Sequence, residues 1–360
     1  MPESTLMKQL RQEPNEPSPF EQLLAVSAAA TFFLTPNRQS YVRLPDGSAT
    51  PIYSEHFRGW LLTKAAQHHL PIPSPHRLAH VLRHQDNILQ TAKWLKHPVH
   101  KRIASQPDGT IFIDLQTAEN DAIEITRRHW THASHHPAIF RRPELNLPLP
   151  VPTFSSPDLA QHLAKSLAIA EPAADALVNW LSLAMVPNTT APILVITGEA
   201  RIEAARLLRN IIDPVIHPLF PLPVTAGQLG QLAQWNNVLA FDAGSQISEG
   251  RKAALRRLHR GIPVRVREVS RRQAPLYETM HRPILIAADA PVEVDKHQLN
   301  IEINQCLDAP LDQLLAALLN EIVGVLKAIE APHEAWHIED QQFQEVLVPA
   351  QCASASKPFT

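Results

Sequence analysis

A chain of 360 residues, 44% apolar and 19% charged, has length for two ordinary domains or one large one, and its composition excludes collagen, coiled coil and disorder along the whole length. With 33 Lys and Arg against 35 Asp and Glu the net charge is −2, so any nucleic-acid surface has to come from local clustering rather than bulk charge. Thirty-three prolines cut the chain into short elements, and only ten glycines leave no GxGxxG and no GxxxxGK[ST] phosphate loop.

Residues 1–18 are polar and proline-rich and read as a flexible leader. The apolar run 23–34 carries Ser27 and Thr31 and is shorter than the roughly 20 residues a bilayer span needs; the pattern over Glu21 to Phe33 predicts a helix. No signal-peptide pattern precedes it, and a soluble cytoplasmic protein with no membrane partner is expected. Ser40 to Leu44 and Ser48 to Tyr53 flank Asp46-Gly47 and read as a hairpin. Ser54 caps a helix to about His69, and a second helix runs from about Ser74 to Lys96. Val99 to Ser105 and Thr110 to Leu115 form another hairpin around Asp108-Gly109, with Ala122 to Thr126 as a further strand. Pro137 to Pro152 reads as a linker that closes an N-terminal α+β domain over 19–150.

Beyond it, Asp158 to Leu167 and Glu171 to Met185 are amphipathic helices. Three apolar runs of the buried parallel type follow: Pro192 to Thr197, ended by Gly198; Asn237 to Phe241, ended by Asp242; and Pro283 to Ala287, ending near Asp289. A helix over Arg201 to Ile211 separates the first two, and a long helix, Leu311 to Ile329, closes the domain at 151–331, with 332–360 as a tail. Cys306 and Cys352 are too distant in sequence for a CxxC site and fit a reducing compartment.

An apolar strand, a glycine, a helix and a second strand closing on an acid form the skeleton of a P-loop NTPase, in which helix N–H groups hold phosphate and the strand-end acid holds Mg²⁺. Read from these residues alone, the simpler alternative is that Gly198 ends a strand and Asp242 caps a turn. Further blocks add to the skeleton: HPVHKRIASQPDGTIFIDL (97–115), Trp130, FRRPELNLPLPVP (140–152), PILVITGE (192–199), LLRNIIDP (207–214), VLAFDAGSQIS (238–248) and RPILIAA (282–288). In order and spacing they resemble a family of phage- and plasmid-type ATP-binding proteins, helicase-like relatives of the AAA+ class. The resemblance spans roughly residues 20–330. It implies a parallel α/β sheet domain of P-loop, AAA+ or helicase type, preceded by a smaller α+β domain.

The departures from that family set the functional expectation. A family loop of the GEQGSAKST type is here GEARIEAAR (198–206), so Ala204 stands where the phosphate Lys belongs and Ala205 where the Mg²⁺ hydroxyl belongs. Arg201, Ile202 and Glu203 replace small loop residues, Ala243 follows Asp242 where an Asn is implied, and Ala287 and Ala288 occupy the region of a γ-phosphate sensor. Phosphoryl transfer is almost wholly electrostatic, so these losses leave a degenerate nucleotide site of Gly198, Glu199, Arg201, Ala204, Ala205 and Asp242, with no catalytic residue and no cofactor. The reading is a pseudo-ATPase, a DNA-associated or assembly subunit of a phage, plasmid or other mobile element engaged in replication. It pairs with DNA and with further copies of itself or an intact ATPase. Two alternatives stay open: an active ATP- and Mg²⁺-dependent helicase or translocase using Arg201 or Arg206 in a rebuilt loop, and a protein-interaction scaffold without DNA binding. The helical lid that supplies another Arg in the family is expected to be truncated here.

Residues 251–272 carry nine Lys or Arg against one acid, Glu268. In helicase-like relatives this interval holds a hairpin that projects toward DNA; Val264 to Val269 alternates as one of its strands, with Ser270 to Gln273 at the tip. Arg256, Arg257, Arg260, Arg265, Arg267, Arg271 and Arg272 are therefore the candidate DNA contacts; the alternative is a solvated face or a site for an acidic partner. His129, His132, His135 and His136 crowd together, but no Cys or placed acid completes a metal site, and solvated or structural histidines are expected. No Ser-His-Asp or Cys-His arrangement is visible.

Overall fold

A computed structural model describes residues 17–91, 96–153, 158–187, 189–223, 225–244, 246–265 and 277–329. The chain divides into two compact units, residues 1–99 and 100–360, so the division falls after Val99 rather than in the proline-rich stretch near residue 150.

In the first unit, α1 (Pro19–Ser27) starts at a capping box: the Ser18 hydroxyl accepts from the Glu21 N–H, and the Glu21 carboxylate accepts from the Ser18 N–H. The helix does not run to Phe33 as the apolar pattern predicts. It stops at Ser27, and Thr31–Leu34 is strand β1, antiparallel to β2 (Ser40–Arg43), which pairs with β3 (Ala49–Pro51). Phe33 lies opposite Tyr41 with ring centroids 6.0 Å apart, a cross-strand pair that favours the pleat over a continued helix. Ser54 caps α2 (Glu55–Gln67) as expected, and α3 (Pro75–Thr91) follows; positions 92–95 of the expected helix lie outside the described residues. Val42, Phe57, Leu61, Val81 and Leu82 are fully buried among these elements.

The second unit holds two main sheets and a two-stranded hairpin among the described residues. The smaller is an antiparallel meander of β4 (Ile103–Ser105), β5 (Ile111–Asp114), β6 (Ala122–Ile125) and β7 (Trp130–Ala133); β7 was not anticipated. Then come α4 (Leu159–Leu167), α5 (Glu171–Met185), β8 (Leu194–Thr197), α6 (Arg201–Ile212), β9 (Phe220–Pro221), α7 (Ala226–Trp235), β10 (Leu239–Ala243) and α8 (Glu249–Arg260). A two-stranded hairpin of β11 (Ile262–Arg265) and β12 (Tyr277–Met280) leads to β13 (Ile284–Ala288), β14 (Leu299–Glu302) and α9 (Leu311–Ile329). The larger sheet is five-stranded and wholly parallel, in the order β14-β8-β13-β10-β9. The three apolar runs are thus neighbours in one parallel sheet, with β13 between the other two.

These strands read as unbroken apolar runs because both faces are covered. Leu194, Ile196, Val238, Ala240, Leu285 and Ala287 face the core built with α4, α5, α6 and α9, together with β5 and β6. Ile193, Val195, Leu239, Phe241, Ile284 and Ile286 face the core built with α7 and α8. The period of two assigns each successive side chain to opposite layers.

Pro137 to Pro152 is not a linker. Phe140 is 1% exposed and Leu149 3%, and His100 and Arg141 exchange backbone hydrogen bonds with this stretch and the start of the meander. Arg142 grips Asp114 through Nε at 3.0 Å and Nη2 at 2.6 Å, a two-pronged ion pair with Asp114 buried, and its Nη1 donates to the Thr117 carbonyl. Proline richness here marks extended chain held by side chains, because proline leaves fewer N–H groups to satisfy.

A buried charged hub ties the meander to the parallel sheet. Arg102, Arg209 and Asp213 are at most 1% exposed. Asp213 pairs with Arg102 Nε at 3.4 Å and accepts from the Asn237 and Val238 N–H groups at the start of β10. Arg209 donates to the carbonyls of Asp213 and Pro218 and to Asn236 Oδ1, and Arg102 donates to those of Asp114, Leu147 and Pro214. Burial, eased by Asp213 and reinforced by the like charge of Arg102, pushes the Arg209 guanidinium down to about 10, still charged at neutral pH. The sequence blocks 97–115, 140–152 and 207–214 meet in these ion pairs.

Candidate functional site

In an open parallel sheet, ligands bind beyond the carboxyl ends of the strands where connections diverge to opposite sides. Here the chain leaves β8 for β9 at one edge, whereas β13 leads to β14 at the other. Register places Ile301, Ile196, Ala287, Asp242 and Pro221 in one row across the sheet. Two residues past the row come Gly198, Asp289 and Gly244, and these form the rim.

Gly198 has φ +99°, and a Cβ there would lie 2.4 Å from the Ile303 carbonyl oxygen and 2.6 Å from Asn304 Oδ1. Only glycine admits both the backbone angle and that approach. The approaching segment takes the first N–H groups of the helix start. The Glu199 N–H donates to Asn304 Oδ1 at 3.1 Å, the Ala200 N–H to the Ile303 carbonyl at 3.1 Å, and the Arg201 N–H turns back to the Gly198 carbonyl at 3.4 Å. These are the donors that a phosphate-binding helix N-terminus would offer to an anion. Asn304 is itself held by the Glu302 carboxylate, which accepts from its Nδ2 at 3.1 Å.

Arg201 reaches across the rim to Asp289 at the end of β13, forming an ion pair with its terminal nitrogen, and Nη1 donates to the Gly198 carbonyl. Its buried Nε has no partner among the described residues. Asp242 is exposed, while Ala243 is buried. Ala204 and Ala205 point the other way from any ligand: both are 0% exposed, packed in the core shared by α5, α6 and α9. Glu203 and Arg206 are exposed on α6.

Among the described residues, the first backbone donors of this helix start are engaged within the chain, Arg201 is paired with Asp289, and the buried Ala204 and Ala205 offer neither a cation nor a hydroxyl. Sequence reasoning located Gly198, Glu199, Arg201 and Asp242 on this rim but missed Asn304 and the pairing of Asp289. Asp289 was legible as an acid at a strand end. Asn304 carried no signal, because its role arises only where β14 lies beside β8.

The basic interval contains two elements. On α8, Lys252 and Arg256 pair with Glu249, Arg256 Nη1 donates to the Val294 carbonyl at 2.8 Å, and Arg260 pairs with the buried Asp295 at 3.6 Å. Arg256 and Arg260 therefore have structural partners, whereas Arg257 is exposed. Arg251 and Arg257 line a groove of about 140 Å³ between α8 and Thr225 at the start of α7. The hairpin β11–β12 is present: β11 starts two residues before the alternating stretch at Val264, and Arg265 is its last described residue. Arg267, Arg271, Arg272 and the expected tip lie outside the described residues. Gly261 at the hairpin base has φ +98°, and a Cβ there would strike the His281 ring at 2.3 Å.

His132 lies on β7, 3.4 Å from Asp121, and His136 contacts the Asn120 carbonyl and the Phe112 and Phe140 rings. Among the described residues no group of three His, Cys, Asp or Glu could hold a metal. No helix of the described residues is long and apolar enough to cross a membrane. Burial, then the nearby Glu203 and Asp308 carboxylates, raises the Cys306 thiol above its ordinary range, which disfavours the thiolate.

Two histidines set an acid limit. Burial lowers His100 below 6.5, and burial also lowers His259, with Asp295 opposing and Arg260 and His281 reinforcing. Below about pH 6.5 the unfolded chain takes up protons that these rings refuse in the fold, so their contribution to stability, complete above that value, is lost as pH falls through the depressed range. Urea midpoints should drop between pH 7 and 5, and His100→Gln with His259→Gln should flatten the drop; an unchanged slope in the double variant would assign the acid sensitivity elsewhere.

No family model matches the chain, and no curated protein is similar to it at a significant level. Among solved structures, the active helicase Cch of SCCmec type IV aligns at 10% identity over 83% of this chain, with a TM-score of 0.40. The chain spans 59% of that helicase's length. The C-terminal region of NrS-1, in its A-form apo structure, aligns at 8% identity over 91% of this chain and 74% of its own, with a TM-score of 0.40. A second structure of that region aligns at 10% identity over 87% and 68%, with a TM-score of 0.39.

Proposed function

We propose that this chain is a catalytically degenerate P-loop ATPase of the AAA+ or helicase type, a pseudo-ATPase that serves as a DNA-associated subunit in the replication apparatus of a phage, plasmid or other mobile element. One observation carries the reading: the helix N-terminus after β8, where phosphate would sit, is filled by Ile303 and Asn304 of the same chain. The parallel sheet with its glycine and acid at the carboxyl rim supports the fold, and the burial of Ala204 and Ala205 supports the loss of catalysis. The basic interval between β10 and β13 supports contact with DNA. The pairing of Arg256 and Arg260 within the chain favours the scaffold as the second reading.

Calorimetry with ATP and Mg²⁺ should register no binding at millimolar nucleotide, and micromolar affinity would overturn the pseudo-ATPase reading. DNA affinity should fall with salt by about 0.7–0.9 log units per log unit of salt for each phosphate neutralised. Changing Arg267, Arg271 and Arg272 together to Ala should flatten that slope by roughly two to three units. Unaltered affinity and slope would hand the interval to the scaffold reading.

A further inference from the structure

We infer that the first unit carries its own nucleic-acid contact, an acid-free polar stripe along α3; this rests on the reading of the chain as DNA-associated and adds a second surface to it. Charge is distributed unevenly between the units. Residues 1–99 hold 10 Lys and Arg against 7 Asp and Glu, and residues 100–360 hold 23 against 28. Residues 1–99 also hold seven histidines.

The four acids between residues 17 and 99 are all engaged. Glu21 closes the capping box of α1, Asp46 accepts from the Ser48 backbone and hydroxyl in its turn, and Glu55 pairs with Arg58. Asp86 is buried, where it accepts from Ser40 Oγ at 2.5 Å and Tyr53 OH at 2.7 Å. Asp86 is the one acid on α3, and it faces inward with Leu78, Val81, Leu82 and Leu89.

The outward face is built differently. His76, His80, Arg83 and Asn87 are exposed and recur at i, i+4, i+7 and i+11, within one arc of a helix that advances 3.6 residues per turn. Arg83 uses only Nε locally, on the Ala79 carbonyl at 3.1 Å. At the carboxyl end of the same helix Arg38 docks its Nη2 on the Gln90 carbonyl at 3.0 Å, extending the stripe with another cation. Seventeen residues make a rod of about 25 Å, enough to follow several phosphates. Guanidinium, imidazole and amide side chains in one row are donors to phosphate oxygens and to base edges alike. An acid-free row of donors at helical spacing, each able to reach a phosphate oxygen or a base edge, complements a nucleic-acid backbone.

The test uses the full chain and fluorescence anisotropy on a labelled 20-base-pair duplex and a 20-nucleotide single strand over a salt series. His76→Glu with Arg83→Glu should weaken binding to one or both at least about tenfold near 0.1 M salt and reduce the salt slope by about one unit or more. Arg83→Lys should keep both near the parent values. Circular dichroism and the urea midpoint check the fold of the charge-reversed chain; if it fails to fold, Arg83→Gln serves, with a slope lowered by about one. Loss confined to the Arg267, Arg271 and Arg272 variant overturns the α3 contact and leaves the hairpin reading standing. Loss confined to the α3 variant does the reverse. Unaltered binding in both, or a parent chain that binds polyglutamate and not DNA, overturns this inference.

Discussion

Replacing Asp213 with alanine should lower the unfolding free energy by about 3–5 kcal/mol, the cost of removing one partner from a buried ion pair. Asp213 is 0% exposed and stands between two arginines that are equally buried. Without it Arg102 and Arg209 repel each other in a place that water cannot reach, and the Asn237 and Val238 N–H groups lose their acceptor. Burial already lowers the Arg209 value, Asp213 counters it, and the like charge of Arg102 adds to it. Urea denaturation followed by circular dichroism measures the effect. Asp213→Asn should lose less, because an amide oxygen in the place of Oδ2 still accepts from both the Asn237 and Val238 N–H groups, and a loss under about 1 kcal/mol for Asp213→Ala would mean that the hub is hydrated.

The second large effect concerns an attempt to restore the phosphate loop. Ala204→Lys with Ala205→Ser rebuilds the residue types of a nucleotide-binding loop, yet it should yield no ATP binding. The Glu199 and Ala200 N–H groups remain bound to Asn304 and Ile303, and the ammonium enters a core of leucine and isoleucine. An unpaired charge there should cost several kcal/mol or force the amine to titrate in its neutral form. The measurements are calorimetry with ATP and Mg²⁺ and a thermal melt, with a lowered midpoint expected. ATP binding by the double variant would mean that the Ile303–Asn304 segment yields its place to phosphate.

Both results turn on how far the sequence can be read. The strands β8, β10 and β13 were legible because burial on both faces demands uninterrupted apolar runs, which little else in a water-soluble chain produces. Gly198 and Asp242 were legible as punctuation at the ends of two of them. The helices over 55–67, 171–185 and 311–329 were legible from apolar period, the first also from its Ser54 cap, and the hairpins at Asp46-Gly47 and Asp108-Gly109 from turn chemistry. Local pattern failed at Phe32 and Phe33, where a partner strand 40–43 outcompeted the helix, and at Pro137 to Pro152, where extended chain is fastened by Arg142 to Asp114.

By itself the sequence determined most element types, the apolar character of the central runs, the Ala204-Ala205 pair in the helix after Gly198, and the concentration of cations between β10 and β13. Those are properties of neighbours along the chain: periodicity, propensity and the chemistry of single residues. Only the tertiary structure decided that Asn304 satisfies the N–H of Glu199, that Arg201 answers Asp289, and that Arg102, Arg209 and Asp213 share one dry site. Each of these joins residues tens to more than a hundred positions apart, or depends on burial that such joining creates. A polar side chain in sequence is only a set of donors and acceptors, and its partner is chosen by the order in which strands lie side by side.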